Sequence, residues 1–177
     1  MSLNQHLESA GDKHQQRFKR ESWDEYFMGL CRKIASRSKD RSTKVGAMAV
    51  GPDKEVRVTS YNGFPRRVDD TVESRHNRPA KYLYTCHGEE NIVSTAALVG
   101  VSLKGCTVYV TCIPEPLPPC APCARMMIQA GVIRVVYEKY QQPENPEILA
   151  RWKESSDAAL EMLSEAGVET CVMPEEK

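Results

Sequence analysis

Two short segments carry the residues best suited to chemistry, His87-Gly88-Glu89 and Pro119-Cys120-Ala121-Pro122-Cys123. They offer one imidazole and two thiols, which are ligand types that Zn²⁺ prefers. A structural zinc site usually has four protein ligands, whereas a catalytic site keeps one position open for water. Glu89 is not needed as a ligand and can shuttle the proton of a zinc-bound water that acts as nucleophile. The two segments therefore predict a catalytic zinc held by His87, Cys120 and Cys123, with Glu89 as the catalytic carboxylate.

Two other interpretations of the cysteine pair stay open. Taken alone, Cys120-x-x-Cys123 also suits a redox pair or a structural zinc knuckle, and a structural site would take Cys86 or Cys112 as its fourth ligand. Redox chemistry does not account for the His-x-Glu segment. A structural zinc-binding interaction domain is therefore the non-enzymatic alternative. The spacing selects Glu89 rather than Glu90, which we expect on a different face, in solvent or near a ribose.

Both segments fall at predicted helix N-termini, over residues 87–98 and 120–129, where the helix dipole favours thiolate over thiol. An earlier helix begins at Ser22, which opens a capping-box pattern ending at Glu25. A last helix begins at Pro146 and ends at Gly167. The residues expected to face the core from the first and last of these helices are Trp23, Phe27, Leu30, Ile34, Ile148, Leu149, Trp152, Leu160 and Leu163.

Five strands are predicted between these helices. Residues 44–50 and 55–61 form a hairpin around Gly51-Pro52-Asp53, and residues 107–111, 133–137 and 168–172 form the others. A long charged loop follows Asn62 and runs to about Tyr84. The alternation of helices and strands predicts a mixed sheet with helices on its faces, in one domain over residues 21–175 after a flexible arm over residues 1–20.

Composition restricts the class of function. The chain has 24 Lys and Arg against 24 Asp and Glu, a formal net charge of zero, which disfavours a nucleic-acid polymer and favours a small substrate. No apolar run reaches the length of a membrane span, and the N-terminus lacks the apolar core of a signal peptide. The odd number of cysteines, seven, favours a reducing compartment, so we expect a cytoplasmic protein.

Further motifs occur in order along the chain, starting within the first helix. They are Trp23-x-x-Tyr26-Phe27-Met28, Ser38-Lys39-Asp40, Lys44-Val45-Gly46-Ala47, Asn62-Gly63-Phe64-Pro65 and Lys81-Tyr82-Leu83-Tyr84. With them, and with the two metal segments, the chain resembles the zinc-dependent cytidine deaminase superfamily, and within it the deoxycytidylate (dCMP) deaminases, from about Trp23 to Tyr140.

The resemblance implies a three-layer α/β/α sandwich around a central five-stranded mixed sheet. It implies hydrolysis of dCMP to dUMP and ammonia, which supplies a precursor of dTTP, and it implies a homo-oligomer with possible allosteric control by dCTP or dTTP. A modified deoxycytidylate or another small aminated heterocycle is the alternative substrate for an enzyme of this fold.

The resemblance also makes Asn62 a candidate contact to the sugar or base. Four cations are candidates for the 5′-phosphate, because phosphate favours charged and often bidentate donors: Arg37, Lys39, Arg66 and Arg67. The chain departs from the family at three places. Gly88 stands where the family usually has Ala, Arg67 stands where it commonly has Gly, and a proline-rich link over residues 113–119 precedes Cys120.

Overall fold

The structure, a computed structural model, describes residues 20–113, 117–138 and 146–174. Most of the predicted N-terminal arm and the centre of the proline-rich link lie outside the described residues. Within them, no helix is both long enough and apolar enough to cross a membrane.

Helix α1 spans Trp23–Ala35, and its N-cap is Ser22, the residue at which the helix was predicted to begin. The Glu25 amide donates to Ser22 Oγ at 3.2 Å and the Ser22 amide donates to Glu25 Oε2 at 2.6 Å, which completes the capping box. The prediction that Trp23 faces the core is wrong, because its side chain is 55% exposed. Trp23 lies in the first turn and stacks on Phe27, with ring centroids 5.5 Å apart. The buried residues of α1 are Phe27, Met28, Cys31 and Ala35.

A five-stranded mixed sheet forms the middle layer, as predicted. Its strands are β1 (Lys44–Val50), β2 (Val56–Tyr61), β3 (Thr107–Ile113), β4 (Arg134–Glu138) and β5 (Glu169–Met173), in the order β2-β1-β3-β4-β5. β1 pairs antiparallel with β2 and β3, whereas β3-β4 and β4-β5 are parallel. The observed strands match the predicted segments to within two residues at each end.

Helices cover both faces of the sheet. On one face, α3 (Gly88–Val99), α4 (Ala121–Gln129) and α5 (Pro146–Glu165) share a core with side chains of β1, β3 and β4. On the other face α1 packs its buried residues against Met48, Tyr109 and Val136. Alternate strand residues point to opposite faces, so Val108 and Tyr109 contribute to different cores. This arrangement confirms the predicted α/β/α sandwich.

The segment between β2 and α3 is partly ordered into short helices. It contains a 3₁₀ helix, Glu73–His76, and a four-residue helix α2, Lys81–Tyr84. Two backbone hydrogen bonds close its base, from the Gly63 amide to the Cys86 carbonyl at 3.1 Å and from the Cys86 amide to the Gly63 carbonyl at 2.9 Å. The segment is therefore a closed loop whose two ends meet directly before His87.

Candidate active site

Two helix N-termini bring the predicted zinc ligands together. His87 is the N-cap of α3 and Cys120 is the N-cap of α4, with Cys123 in the first turn of α4. The His87 Nδ1 atom lies 3.3 Å from Cys120 Sγ and 3.5 Å from Cys123 Sγ. Nitrogen and sulfur ligands of one tetrahedral zinc lie about 3.6 Å apart, so the three side chains fit a single ion.

The number of protein ligands separates the two kinds of zinc site. Among the described residues, the group whose ligand atoms all lie within 4.8 Å of one another consists of His87, Cys120 and Cys123. Cys86 and Cys112, the fourth ligands that a structural site would need, do not belong to it. Three protein ligands leave a coordination position for water, which is the arrangement of a catalytic zinc site rather than a structural one.

Glu89 lies beside this group without being part of it. It is the second residue of α3, is 5% exposed and lines the same cavity as His87 and Cys120. Burial raises the pKa of the Glu89 carboxyl above its usual range, although the charge of His87 acts in the opposite direction. A carboxyl whose pKa is raised holds a proton more readily than an ordinary one, which suits a group that accepts a proton and returns it.

Glu90 has a different role from its neighbour. Its Oε2 accepts a hydrogen bond from the backbone amide of His87 at 3.2 Å, at the N3 position of a capping box. This bond satisfies a backbone donor at the start of α3 and holds the backbone of a zinc ligand. Glu90 therefore lies on a different face from Glu89, as predicted, and is half-buried against the His87 backbone.

The three ligand side chains share their protons unequally when no metal is bound. A hydrogen bond from Cys123, together with one from His87, lowers the pKa of Cys120 to about 4. The hydrogen bond to Cys120 raises the pKa of His87 to about 9, and the pKa of Cys123 is raised, first by its hydrogen bond to Cys120 and then by burial. At pH 7 the metal-free site therefore holds a Cys120 thiolate beside a protonated imidazole and a Cys123 thiol.

Zinc binding at pH 8 is expected to release one proton from His87 and one from Cys123, because each must be deprotonated to bind the metal, together with one from the zinc-bound water. At pH 10, above the His87 pKa of about 9, the imidazole proton has already left and the release is smaller by about one proton, since the water, with its pKa lowered to about 7, contributes equally at both pH values. Titration calorimetry of the metal-free protein in buffers of different ionisation enthalpy measures this number. Equal proton release at both pH values would contradict the protonation states given above.

Gly88 allows α3 to approach β1 closely. A Cβ atom at this position would lie 2.8 Å from Val45 Cγ1 and 3.4 Å from the Ala47 Cβ, and the Gly88 carbonyl accepts a hydrogen bond from Ser60 Oγ at 2.5 Å. A methyl group at position 88 would therefore press on the Val45 side chain, which would have to shift. The glycine fits the space between His87 and the strand.

Gly88→Ala is expected to destabilise the zinc-loaded protein by about 1–3 kcal/mol, the usual effect of one extra methyl group in a packed site. Val45→Ala in the same chain removes the clash, so the double variant should be more stable than the sum of the two single variants implies. Chemical denaturation of the four proteins measures this coupling. Additive effects of the two substitutions would show that Val45 does not restrict position 88.

A cavity of about 280 Å³ opens beside the metal ligands. His87, Glu89 and Cys120 lie in its wall together with residues of the loop before β1, of the segment between β2 and α3, and of α5. The other lining residues are Asp40, Ser42, Thr43, Val45, Asn62, Arg78, Lys81, Tyr82, Thr85, Val110, Cys112, Leu117, Pro118, Trp152 and Ser156.

Asn62 lies in the cavity wall and is 4% exposed. Its Oδ1 accepts from the Val45 amide at 2.8 Å, and its Nδ2 donates to the Thr43 carbonyl at 2.9 Å and to Asp40 Oδ2 at 3.2 Å. The amide group therefore joins the end of β2 to the loop before β1. One lone pair of Oδ1 stays available to a ligand.

Asp40 continues this polar wall. Its carboxylate accepts from the amides of Ser42 at 2.9 Å and Thr43 at 3.0 Å, and lies 2.7 Å from Lys81 Nζ. Burial raises the pKa of Asp40, but the hydrogen bond from Lys81 and those from the two amides together outweigh it and hold the pKa below its usual value. Asp40 is thus ionised at neutral pH and neutralises Lys81 within the wall.

The four cations predicted for the phosphate are exposed, and none of them lines this cavity: Arg37, Lys39, Arg66 and Arg67. Lys39 forms an ion pair with Asp70 at 2.5 Å beside a smaller cavity of about 180 Å³, and Arg66 donates to Thr95 Oγ1 at 2.7 Å. Arg67, at the position where the family commonly has glycine, has a φ of +69° in the left-handed region.

Among the side chains that the structure describes, the cations that line the cavity are Arg78 and Lys81, which were not predicted as ligands. Lys81 belongs to a motif that the sequence singled out, whereas no pattern distinguished Arg78 from other charges of the loop. Trp152 is a correction, since the sequence placed it in the core stripe of the last helix. It is half-buried in the cavity wall, 6.1 Å from the His87 ring between centroids.

Residues 21–139 match the model of the cytidine and deoxycytidylate deaminase zinc-binding region. The chain belongs to this family. Mouse deoxycytidylate deaminase is 36% identical over 129 residues, which are 69% of this chain and 68% of that protein. An uncharacterized deaminase of Aliivibrio fischeri is 35% identical over 152 residues, which are 86% of this chain and 94% of that protein. The chain is therefore a zinc-dependent hydrolase that acts on C–N bonds.

Solved structures show the same fold. The dCMP deaminase of the cyanophage S-TIM5, in complex with dCMP and dUMP, superposes with a TM-score of 0.66 at 23% identity, over 88% of this chain and 100% of that chain. A deaminase/reductase from Thermotoga maritima superposes with a TM-score of 0.54 at 19% identity, over 85% of this chain and 36% of that chain. These similarities show that the chain shares the α/β architecture of both structures.

Proposed function

We propose that the protein hydrolyses dCMP to dUMP and ammonia and thereby supplies a precursor of dTTP. The observation that carries the proposal is the three-ligand zinc group with Glu89 buried beside it at one cavity. Relatives named deoxycytidylate deaminase, 36% identical in mouse and 35% identical in human, support dCMP as the substrate. A modified deoxycytidylate is the second candidate, because it would need the same catalytic groups.

Zinc supplies Lewis-acid activation of a water molecule when it is bound by His87, Cys120 and Cys123. Glu89 removes a proton from that water as the water oxygen bonds to C4 of the cytosine ring. The same carboxyl gives this proton to ring N3, then takes the remaining proton from the oxygen now bonded to C4 and gives it to the 4-amino group, which leaves as ammonia while the C4–O bond becomes a carbonyl. Burial of Glu89 keeps bulk water from competing for these protons.

The phosphate of the substrate is an anion, so it is expected where cations line the cavity wall. Lys81 is neutralised by Asp40, with a nitrogen–oxygen distance of 2.7 Å. Arg78 is exposed, and its guanidinium lies over the Tyr82 ring at 5.9 Å. Of the two cations that the described residues place in the cavity wall, Arg78 is the one that is not paired with Asp40, and we assign it the 5′-phosphate. Asn62 holds the wall and offers its second Oδ1 lone pair.

Glu89→Gln is expected to lower kcat for dCMP by about 10²–10⁴-fold, the usual contribution of a positioned proton donor and acceptor. Bound zinc should stay at one ion per chain, because Glu89 is not a ligand. Steady-state ammonia release and zinc analysis measure the two quantities.

Glu90→Gln is the matched control, because it removes one carboxylate charge at the adjacent position and Gln can also complete a capping box. Its kcat should stay within a few-fold of the unchanged protein. Full activity of the Glu89→Gln variant would exclude the proposed role of Glu89. Absence of ammonia release from the unchanged protein itself would favour the structural zinc domain.

Arg78→Gln is expected to lower kcat/KM for dCMP by at least tenfold and to leave deoxycytidine unchanged, because only the nucleotide has a phosphate for a charge-assisted hydrogen bond. The measurement is ammonia release from dCMP, CMP, deoxycytidine, cytosine and 5-methyl-dCMP, with dCMP expected as the best substrate of the unchanged protein.

Arg66→Gln is the control, since Arg66 is an exposed cation bound to Thr95 outside the cavity. An equal loss in both variants would show that general surface charge, not Arg78, attracts the nucleotide. Activity of the unchanged protein on deoxycytidine but not on dCMP would contradict the proposed substrate itself.

Three wider expectations accompany this function. A homo-oligomer and allosteric control by dCTP or dTTP stay predictions from the family resemblance. The substrate is proposed to be a free nucleotide rather than a nucleic-acid polymer, in keeping with the net charge of zero. We place the enzyme in the cytoplasm, supported by seven cysteines that form no disulfide among the described residues.

A further inference from the structure

Helix α5 lies beyond the part of the chain that matches the family model, yet it contacts the active site. The match ends at residue 139, whereas α5 spans Pro146–Glu165. Trp152 and Ser156 line the cavity, and Ser155 Oγ accepts a hydrogen bond from the Ala121 amide at 3.0 Å. Residues three and four apart share one face of a helix, so a single face of α5 is turned towards the zinc site.

The hydrogen bond from Ala121 meets a specific need of α4. The first amides of a helix have no partner within it and are usually satisfied by a Ser, Thr, Asp or Asn at the N-cap. An N-cap side chain bonds the second or third amide of its helix, and the second residue of α4 is Pro122, which has no amide hydrogen. The Ala121 amide is the first of α4, so it is not one that the side chain of the N-cap residue, Cys120, satisfies. Ser155 of another helix supplies the oxygen that this amide needs.

The position of this bond links α5 to both thiolates. Ala121 follows Cys120 directly and precedes Cys123 by two residues, so a bond that fixes its amide fixes the turn that carries both sulfurs. α5 also reaches the third ligand, because the rings of Trp152 and His87 lie 6.1 Å apart between centroids. The helix thus contacts the zinc group from the sides of both α3 and α4.

We propose that Ser155 is a positioning residue of the zinc centre, which caps α4 from α5 and slows the loss of the metal. The proposal needs the zinc site but not the assignment of dCMP as substrate. A failure of the substrate assignment therefore leaves it standing, and a test on metal release leaves the substrate assignment untouched.

The test compares Ser155→Ala and Ser155→Val with Ser155→Thr, in the full-length zinc-loaded protein. Thr retains the hydroxyl and Val matches the shape of Thr without it. Zinc transfer to a chromogenic chelator should be about tenfold faster in the Ala and Val variants, the lower end of what loss of an outer partner of a metal ligand usually causes. Thr should release zinc at the rate of the unchanged protein.

Cobalt substitution gives a second readout that simple loosening of the fold would not change. The visible absorption of Co²⁺ bound to two thiolates and an imidazole depends on ligand geometry, so Ala and Val should alter the spectrum and Thr should retain it. Ser164→Ala, at an exposed serine of the same helix, is the control for general effects on α5. Ala is also a better helix former than Ser, which keeps α5 itself intact.

Equal zinc release from the Ala, Val and Thr variants would overturn the proposal. So would an acceleration in Ser164→Ala as large as that in Ser155→Ala, because the effect would then belong to the helix as a whole. If the Ala variant does not fold, the Val and Thr pair decides the question through its difference in release rate.

Discussion

The meeting of two helix N-termini above β1 and β3 is the constraint on which the rest of the active site depends. α3 brings His87 and Glu89, and α4 brings both cysteines, so the distance between the first turns sets the shape of the zinc group. Gly88 allows this approach without a shift of Val45, whose Cγ1 would lie 2.8 Å from a Cβ atom at position 88. The helix dipoles then favour the ionised thiolates that the metal requires.

The wall opposite the zinc is built in a different way. It consists of loops and the short helix α2, joined by the buried Asn62 amide and by the ion pair of Asp40 with Lys81. The buried side chains of Asn62 and Asp40 both have hydrogen-bond partners, so the loop before β1 keeps one arrangement without regular secondary structure. The site therefore joins a metal end set by helix packing to a substrate end set by hydrogen bonds.

The sequence defines the metal end more closely than the substrate end, for a physical reason. Ligand type and local spacing in the chain define a zinc site, and the apolar periodicity that surrounds it defines its helices and strands. The direction of a long cation such as Arg66 or Arg78 depends on tertiary contacts that no local pattern records. Trp152 shows the same limit, since helical spacing cannot distinguish a residue facing the core from one facing a cavity.

The two backbone bonds between Gly63 and Cys86 separate the tasks of the active site. Everything between these residues forms an insertion that leaves and returns at one point, and it carries Arg78, Lys81 and Tyr82 but none of the zinc ligands. Sequence changes within that insertion can reshape the substrate end while the backbone entering His87 keeps its course. A new substrate preference could thus arise in this fold by exchange of one loop, with the hydrolytic chemistry inherited unchanged.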